Sequence, residues 1–164
     1  MIIKTKTELK QIINNYQKQE KVVLIKKGVF DIIHPGHIYA ISQFKKKADF
    51  VIILIQSDKF TKQKKGNSRP INNQKQRAEV VSGIKGVDLV YLDKCNSREK
   101  YIEFLNYLKP NILAVTSLDP KKTKDYKSKH WELLEFPDKN LPGYSTTEII
   151  NRVLTKCKKK ELGD

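Results

Sequence analysis

The sequence predicts an α/β fold, a single Rossmann-like domain in which a parallel sheet of about five strands carries helices on both faces. Short, unbroken apolar runs alternate along the chain with segments of helical periodicity, as expected of strand–helix–strand units. Each run is apolar at successive positions, as in strands that are buried on both faces of a parallel sheet. At 164 residues the chain is long enough for one compact domain with a substantial core.

The first half of the chain begins with a helical segment. Residues 5–19 place Leu9, Ile12 and Ile13 on one face of a helix. The remaining predicted elements are, in order, a strand within 21–26, a helix from residue 36, a strand over 50–55, a lysine-rich loop over 59–70 and a helix near 73–84.

The second half continues the alternation. Its predicted elements are a strand over 87–92, a helix over 98–108, a strand over 112–115, a polar segment over 117–129, a short strand over 133–136 and a last helix over 145–156. The polar segment fits either an acceptor lid or a mobile loop. We divide the chain into an N-terminal helical extension (1–20), the main domain (21–157) and a charged tail (158–164).

The formal net charge of the chain is +15, and lysine far outnumbers arginine. One interpretation is nucleic-acid binding, because a basic surface attracts phosphate backbones. The other is a solvated, lysine-rich surface. Proteins that read base edges favour arginine, and aromatic residues do not alternate here with the basic runs as a stacking platform requires. We therefore do not expect nucleic acid as a partner.

Membrane association and disulfide chemistry are also not expected. No apolar stretch approaches the length needed to cross a bilayer. The two cysteines, Cys95 and Cys157, indicate neither a disulfide framework nor a metal cluster. From these features we expect a cytoplasmic protein.

The unusual residues of the sequence fall where a parallel sheet binds ligands. In such folds the ligand lies beyond the carboxyl ends of the strands. Polar and glycine-containing segments follow the first, second and fourth predicted strands and precede the last helix, at 28–37, 57–70, 116–119 and 143–147. The sequence therefore predicts one site that these segments share.

A pair of histidines, His34 and His37, lies between the first strand and the helix after it. A metal site would require a third ligand, and the sequence offers none in a matching context. Gly36 allows the backbone to approach a ligand closely, and the amide groups at a helix start favour an anion. Two imidazole donors there could hold a triphosphate and stabilise charge that develops on its α-phosphate.

Residues 28–37 read Gly-Val-Phe-Asp-Ile-Ile-His-Pro-Gly-His and resemble the signature of the HxGH nucleotidyltransferase superfamily, in its cytidylyltransferase-like branch. The middle of the chain is similar to the bacterial heptose-phosphate adenylyltransferase domain, at Ser57-Asp58, Lys62, Lys65-Gly66, Arg69-Pro70 and Arg77. Residues 143–150 resemble the Ser-Thr-Thr segment of the same family. The resemblance covers roughly residues 21–153, so the main domain is identified as a nucleotidyltransferase domain.

The resemblance implies transfer of AMP or CMP from a nucleoside triphosphate to a phosphorylated sugar or polyol, with release of pyrophosphate. The acceptor phosphate attacks the α-phosphorus in line, and because it is already ionised, no general base is required. The residues implied as catalytic are His34, His37 and Lys65. Those implied to bind the nucleotide or its phosphates are Gly28, Val29, Phe30, Lys62, Arg77, Asp119, Ser145, Thr146 and Thr147. Mg²⁺ is implied as the partner of the triphosphate.

Several of these residues have a purely structural alternative. Lys62 and Lys65 could be surface charge in a lysine-rich chain, and Arg77 could be an ordinary solvated or ion-paired arginine. Asp31 could turn the loop, cap the following segment or approach the metal. Ser145 and Glu148 form a capping box by their spacing alone, which is compatible with a phosphate at the same helix start.

The sequence departs from the family pattern at three places. Lys26 replaces a threonine two positions before the motif glycine. Residues 116–119 read Thr-Ser-Leu-Asp where the heptose-phosphate enzymes have Lys-Gly-Gly-Asp near the base and ribose, so only Asp119 is kept. Asn140 takes the position of an arginine in the glycerol-phosphate cytidylyltransferases. The choice between ATP and CTP therefore stays open.

An enzyme is the leading hypothesis, and a non-catalytic nucleotide-binding or basic nucleic-acid-binding module is the alternative. The intact set of His34, His37, Lys65 and the Ser145 turn favours the enzyme, because a silent module would be free to lose some of them. The family resemblance also suggests a homodimer.

Overall fold

The computed structural model describes residues 1–116, 123–136 and 145–161, with residues 158–161 described as helix backbone only. Its centre is a parallel sheet formed by β1 (Ile2–Ile3), β2 (Val23–Gly28), β3 (Phe50–Ile55), β4 (Leu89–Leu92), β5 (Ile112–Val115) and β6 (Glu132–Glu135). The strand order is β1-β4-β3-β2-β5-β6. The predicted α/β fold is therefore confirmed, with six strands in place of about five.

Helices cover both faces of this sheet. They are α1 (Lys6–Lys18), α2 (Pro35–Lys45), α3 (Asp58–Lys65), α4 (Gln74–Ser82), α5 (Arg98–Leu108) and α6 (Thr146–Glu161), with a 3₁₀ turn at Lys124–Tyr126. Side chains of α1 and α5 pack in one core layer, and side chains of α2 and α4 pack in the other. Successive residues of β3 alternate between the two layers, which explains why the whole strand is apolar.

The strand order reverses at β2, and this reversal positions the site. The chain proceeds from β2 to β3 and β4 on one side, and then returns to place β5 and β6 on the other side. The connections after β2 and after β5 consequently leave in opposite directions and open a crevice beyond the carboxyl end of β2. The motif of residues 28–37 begins at this point.

Three predicted boundaries require correction. The N-terminal segment is more than a helical extension, because Ile2 and Ile3 pair with β4 as an edge strand and α1 buries Leu9 and Ile13 in the core. Much of the predicted lysine-rich loop is the helix α3, capped by the Ser57 side chain. The last helix continues to Glu161 instead of ending at residue 156.

Within the described ranges, none of the helices combines the length and apolar character that a membrane crossing requires.

Candidate active site

The paired histidines lie at the N-terminus of α2. His34 is the residue before the helix, and Pro35 occupies its first turn, where no amide hydrogen bond is lost. The two imidazole rings are adjacent, with their centroids 3.8 Å apart. The His34 amide donates to Nδ1 of His37 at 3.4 Å, so the neutral His37 ring carries its proton on Nε2.

His37 is held in its neutral form. Burial, reinforced by the neighbouring His34 and Lys26, lowers the pKa of His37 to about 4. The ring is therefore an uncharged N–H donor at neutral pH, and its Nε2 proton is available to an acceptor at the helix start. Such a donor can hold a phosphate oxygen without exchanging a proton with it.

Gly28 and Phe30 shape the loop that leads to the histidines. A Cβ atom on Gly28 would lie 2.6 Å from the Phe30 ring, so this position accepts only glycine unless the ring moves. Phe30 is buried and adopts the left-handed region with φ of 52°. Its ring centroid lies 5.1 Å from that of His37. The Phe30 ring therefore lies between Gly28 and the neighbourhood of the His37 ring, near the end of β2.

The N-terminus of α6 faces the same loop. Ser145 and Glu148 form the predicted capping box: the Ser145 amide donates to Glu148 Oε2 at 3.0 Å, and the Glu148 amide donates to Ser145 Oγ at 3.2 Å. Thr146 Oγ1 lies 3.5 Å from the carbonyl oxygen of Ile32, inside the motif loop. Two helix N-termini, each with partial positive charge, therefore approach one place.

A cavity of about 420 Å³ opens between these elements, and we call it the histidine cavity. The predicted site residues that line it are Gly28, Val29, Phe30, Asp31, His37, Lys65, Ser145, Thr146 and Thr147. Residues that are more than 100 positions apart in sequence thus meet at the carboxyl edge of the sheet, as predicted. Lys26, Lys27, Arg69 and Thr116 complete its polar wall.

Four predicted residues are not among the described residues that line this cavity: His34, whose ring lies against that of His37, and Arg77, Lys62 and Asp119. Lys62 is exposed on α3 and does not line it, whereas Lys65, one turn further along α3, does. Asp119, predicted near the base and ribose, lies outside the described residues.

Asp31 stabilises the motif loop of residues 28–37 through hydrogen bonds to the segment that follows α3. Its carboxylate accepts hydrogen bonds from Arg69 Nε at 2.8 Å and from the amides of Ile71 and Asn72 at 3.0 Å each. Both oxygens therefore have protein donors, which disfavours the metal contact considered for this residue. Across the described ranges, no cluster of three His, Cys, Asp or Glu residues is suited to a metal ion.

The contacts of Arg77 favour the structural alternative over the predicted phosphate contact, which stays a prediction. Its side chain is fully buried and donates to the backbone carbonyls of Val29, Gln56 (2.7 Å) and Asn72 (3.0 Å). It also forms an ion pair with Asp58 at 2.6 Å. Protein acceptors occupy all three of its nitrogens, so the guanidinium joins the loops after β2 and β3 to the start of α4.

Sequence reasoning gave no binding assignment to Lys27 or Thr116, which the structure places in the cavity wall. The signal for Lys27 was available, because it adjoins Lys26 at the end of a strand that is otherwise apolar. Charged residues at the end of a buried strand indicate a polar site beyond it.

The family comparison agrees with this geometry. A model of the cytidylyltransferase-like family matches residues 25–152, which is most of the chain. The chain therefore belongs to the cytidylyltransferase-like family, as predicted.

Among curated proteins, the chain is similar to two that are named bifunctional protein HldE. The one from Campylobacter jejuni subsp. doylei is 34% identical over 163 residues, which cover 94% of this chain and 32% of that protein. The one from Salmonella arizonae is 31% identical over 170 residues, which cover 96% of this chain and 33% of that protein. The chain thus spans about a third of the length of these relatives.

Solved structures share the fold at lower identity. A lipopolysaccharide core biosynthesis protein from Thermoplasma volcanium is 21% identical with a TM-score of 0.59, over 73% of this chain and 99% of that one. A pantoate-beta-alanine ligase from Francisella tularensis is 18% identical with a TM-score of 0.62, over 93% of this chain and 72% of that one. At this identity the likeness concerns the fold alone.

The buried position of Arg77 predicts the outcome of Arg77→Met. We expect a loss of about 3–5 kcal/mol in the free energy of unfolding, because the change leaves Asp58 and three backbone carbonyls without their donor. Chemical denaturation measures this loss, and Lys75→Met on the exposed side of α4 serves as the control. A variant with unchanged stability and weakened nucleotide binding would instead make Arg77 a phosphate ligand.

The depressed pKa of His37 predicts a titration midpoint of about 4 for its ring protons in an NMR experiment. Because the pKa in the folded state lies below its ordinary value of 6.5, the stability contributed by the neutral ring is complete above pH 6.5 and is lost as the pH falls towards 4. The His37→Asn variant identifies the signal. A midpoint near 6.5 would show that the ring is neither buried nor close to other positive charge.

Proposed function

We propose that this member of the cytidylyltransferase-like family transfers the nucleoside monophosphate part of a triphosphate, AMP from ATP, to the phosphate of a sugar phosphate and releases pyrophosphate. The observation that carries the proposal is the convergence of His37, with the His34 ring beside it, and the N-termini of α2 and α6 on one cavity. All of these groups are hydrogen-bond donors, which suits a polyanion.

The reaction requires positioning and charge stabilisation more than proton transfer. A phosphate monoester is ionised at neutral pH and can attack the α-phosphorus directly, while pyrophosphate leaves on the opposite side. Negative charge then develops on the equatorial oxygens of that phosphorus. His37 Nε2–H, held neutral and oriented by the His34 amide, would donate to one of these oxygens, and His34 would lie beside it.

The remaining phosphates would be neutralised by the cavity wall. Lys65 occupies the last turn of α3 and lines the histidine cavity with an exposed, flexible side chain. It can therefore follow the β- and γ-phosphates as pyrophosphate departs. Thr146 and Thr147, together with the free amides of the first turn of α6, would bind the triphosphate from the other side.

Mg²⁺ would enter as part of the substrate. Both carboxylate oxygens of Asp31 already accept protein hydrogen bonds, and no three-residue metal cluster is found among the described side chains. A magnesium ion held by triphosphate oxygens and water needs few protein ligands. When bound, it would offset negative charge on the leaving pyrophosphate.

The choice of ATP and a sugar phosphate rests on two observations. The segment 57–77 resembles that of the heptose-phosphate adenylyltransferase domain, and the curated relatives that the chain matches over nearly its whole length are named bifunctional protein HldE. Transfer of CMP to a polyol phosphate is the second candidate, and it is supported by the same histidine motif. The suggested homodimer stays a prediction.

A pyrophosphate-release assay with each of the four common triphosphates against a panel of sugar and polyol phosphates tests the proposal. We expect turnover with ATP and a sugar 1-phosphate. His34→Ala and His37→Ala should each lower kcat at least about a hundredfold while the thermal melt is little changed, because each removes a transition-state donor. His130→Ala, which alters an exposed histidine, is the matched control.

Two results would contradict the proposal. One is full turnover in both histidine variants. The other is the absence of pyrophosphate release with every pair, accompanied by salt-dependent binding to nucleic acid, which would support the non-catalytic alternative.

A further inference from the structure

A cavity of about 560 Å³ lies where the ends of β1 and β4 meet the first turn of α1 and one face of α5, and we call it the lysine cavity. None of the residues that line it lines the histidine cavity. All of them belong to the continuous described range 1–116. Its volume is within the range of small-molecule sites in proteins. The lysine cavity is therefore a separate place for a ligand.

Four lysines give this cavity its charge: Lys4, Lys6, Lys94 and Lys100. All four are exposed, and no carboxylate of the described side chains forms an ion pair with any of them. Thr5 caps α1, so the positive end of that helix also lies at the cavity. Positive charges that the fold holds around one cavity attract an anion.

The acidic groups of the lining offset little of this charge. The Asp93 carboxylate is buried and paired with Lys27 at 2.6 Å. Burial, reinforced by Asp93, raises the pKa of the Cys95 thiol to about 12, so the thiol is uncharged at neutral pH. Glu103 is the remaining acid of the lining, so four lysines face one free carboxylate. An anion with several negative charges suits this balance better than a single carboxylate does.

The lining also carries aromatic rings. Lys100, Glu103, Phe104 and Tyr107 follow the spacing that places residues on one face of α5. The Phe104 ring packs against the buried Tyr91 ring, with their centroids 5.3 Å apart. Tyr107 is 42% exposed, so one of its faces is available to a planar group.

The charge and the exposed ring lie next to each other. Lys6 Nζ lies 5.6 Å from the centroid of the Tyr107 ring. A planar group stacked on Tyr107 would therefore place a phosphate attached to it within reach of Lys6. Stacking on an aromatic side chain beside basic residues is a common way to hold a nucleotide.

We propose that the lysine cavity binds a nucleoside diphosphate at a site separate from the histidine cavity. The base stacks on Tyr107, and Lys6 and Lys100 contact the phosphate groups. Lys4 and Lys94 add to the positive potential around them. The site uses no residue of the histidine motif, so it does not rest on the proposed function.

The test titrates ADP into the chain and follows the ring signals of Phe104 and Tyr107 by NMR. Tyr107→Leu identifies the tyrosine signal, and the His37 ring protons report separately on the histidine cavity. Adenosine and inorganic pyrophosphate supply the ring alone and the charge alone. We expect ADP to shift the Phe104 and Tyr107 signals saturably, with a dissociation constant at least about tenfold lower than that of either fragment, because ADP makes both kinds of contact.

Paired lysine variants test the charge. Lys6→Met combined with Lys100→Met should raise the dissociation constant at this site about tenfold or more, because two charge-assisted contacts are lost. Arginine at both positions should keep most of the affinity. Lys18→Met combined with Lys59→Met removes the same charge from exposed positions that line neither cavity, and should bind as wild type.

Four results would overturn the inference. ADP leaves the Phe104 and Tyr107 signals unmoved, pyrophosphate binds there as tightly as ADP, the Lys6 and Lys100 methionine pair binds as well as its control pair, or His37→Ala abolishes the Tyr107 response. Failure of the proposed function is distinct, because it concerns pyrophosphate release by the wild-type chain and leaves the Tyr107 response to ADP intact.

Discussion

The site depends on one buried guanidinium. Arg77 places a positive charge in the interior, and its guanidinium donates hydrogen bonds to three backbone carbonyls and one carboxylate. Those acceptors belong to the loop after β2, the end of β3 and the turn before α4. A single side chain therefore holds three chain segments together. Because a buried charge without these partners would be strongly unfavourable, the contacts are maintained in the folded state. Asp31 reinforces the arrangement from the motif loop through Arg69 and two backbone amides.

The cations near the site differ in role, because some stabilise the structure and others can contact a ligand. Arg77, Arg69 and Lys27 are all paired with acidic side chains. Lys65 lines the histidine cavity at the carboxyl edge of the sheet, where the neutral His37 and two helix N-termini add further donors. A site built in this way attracts a polyanion by charge but orients it by hydrogen bonds, which is the combination that phosphate-group transfer requires.

The sequence was sufficient for the fold and for the position of the site. Strands β2 to β6 each contain a short apolar run, and the histidine motif and the Ser145 capping box follow from residue type and spacing. β1 was missed because two residues give no periodicity, and α3 was missed because its sequence is dominated by lysine with only Phe60 and Thr61 buried. Local patterns do not contain the tertiary contacts that make these segments regular.

The functions of individual charged residues were harder to predict. Arg77 contacts Val29 across 48 positions, and Asp31 contacts Arg69 across 38, so nothing near either residue in sequence reveals its partner. An arginine bound to phosphate and an arginine bound to carbonyls look alike in sequence.

The central claim is that the histidine pair and the N-termini of α2 and α6 bind one triphosphate together. An NMR titration with the non-transferable α,β-methylene analogue of ATP tests it most directly. The ring protons of His34 and His37 and the backbone amides of Thr146 and Thr147 should shift together with one dissociation constant, while the exposed His130 ring is unaffected. Saturable binding that leaves both sets of signals unmoved would contradict the account.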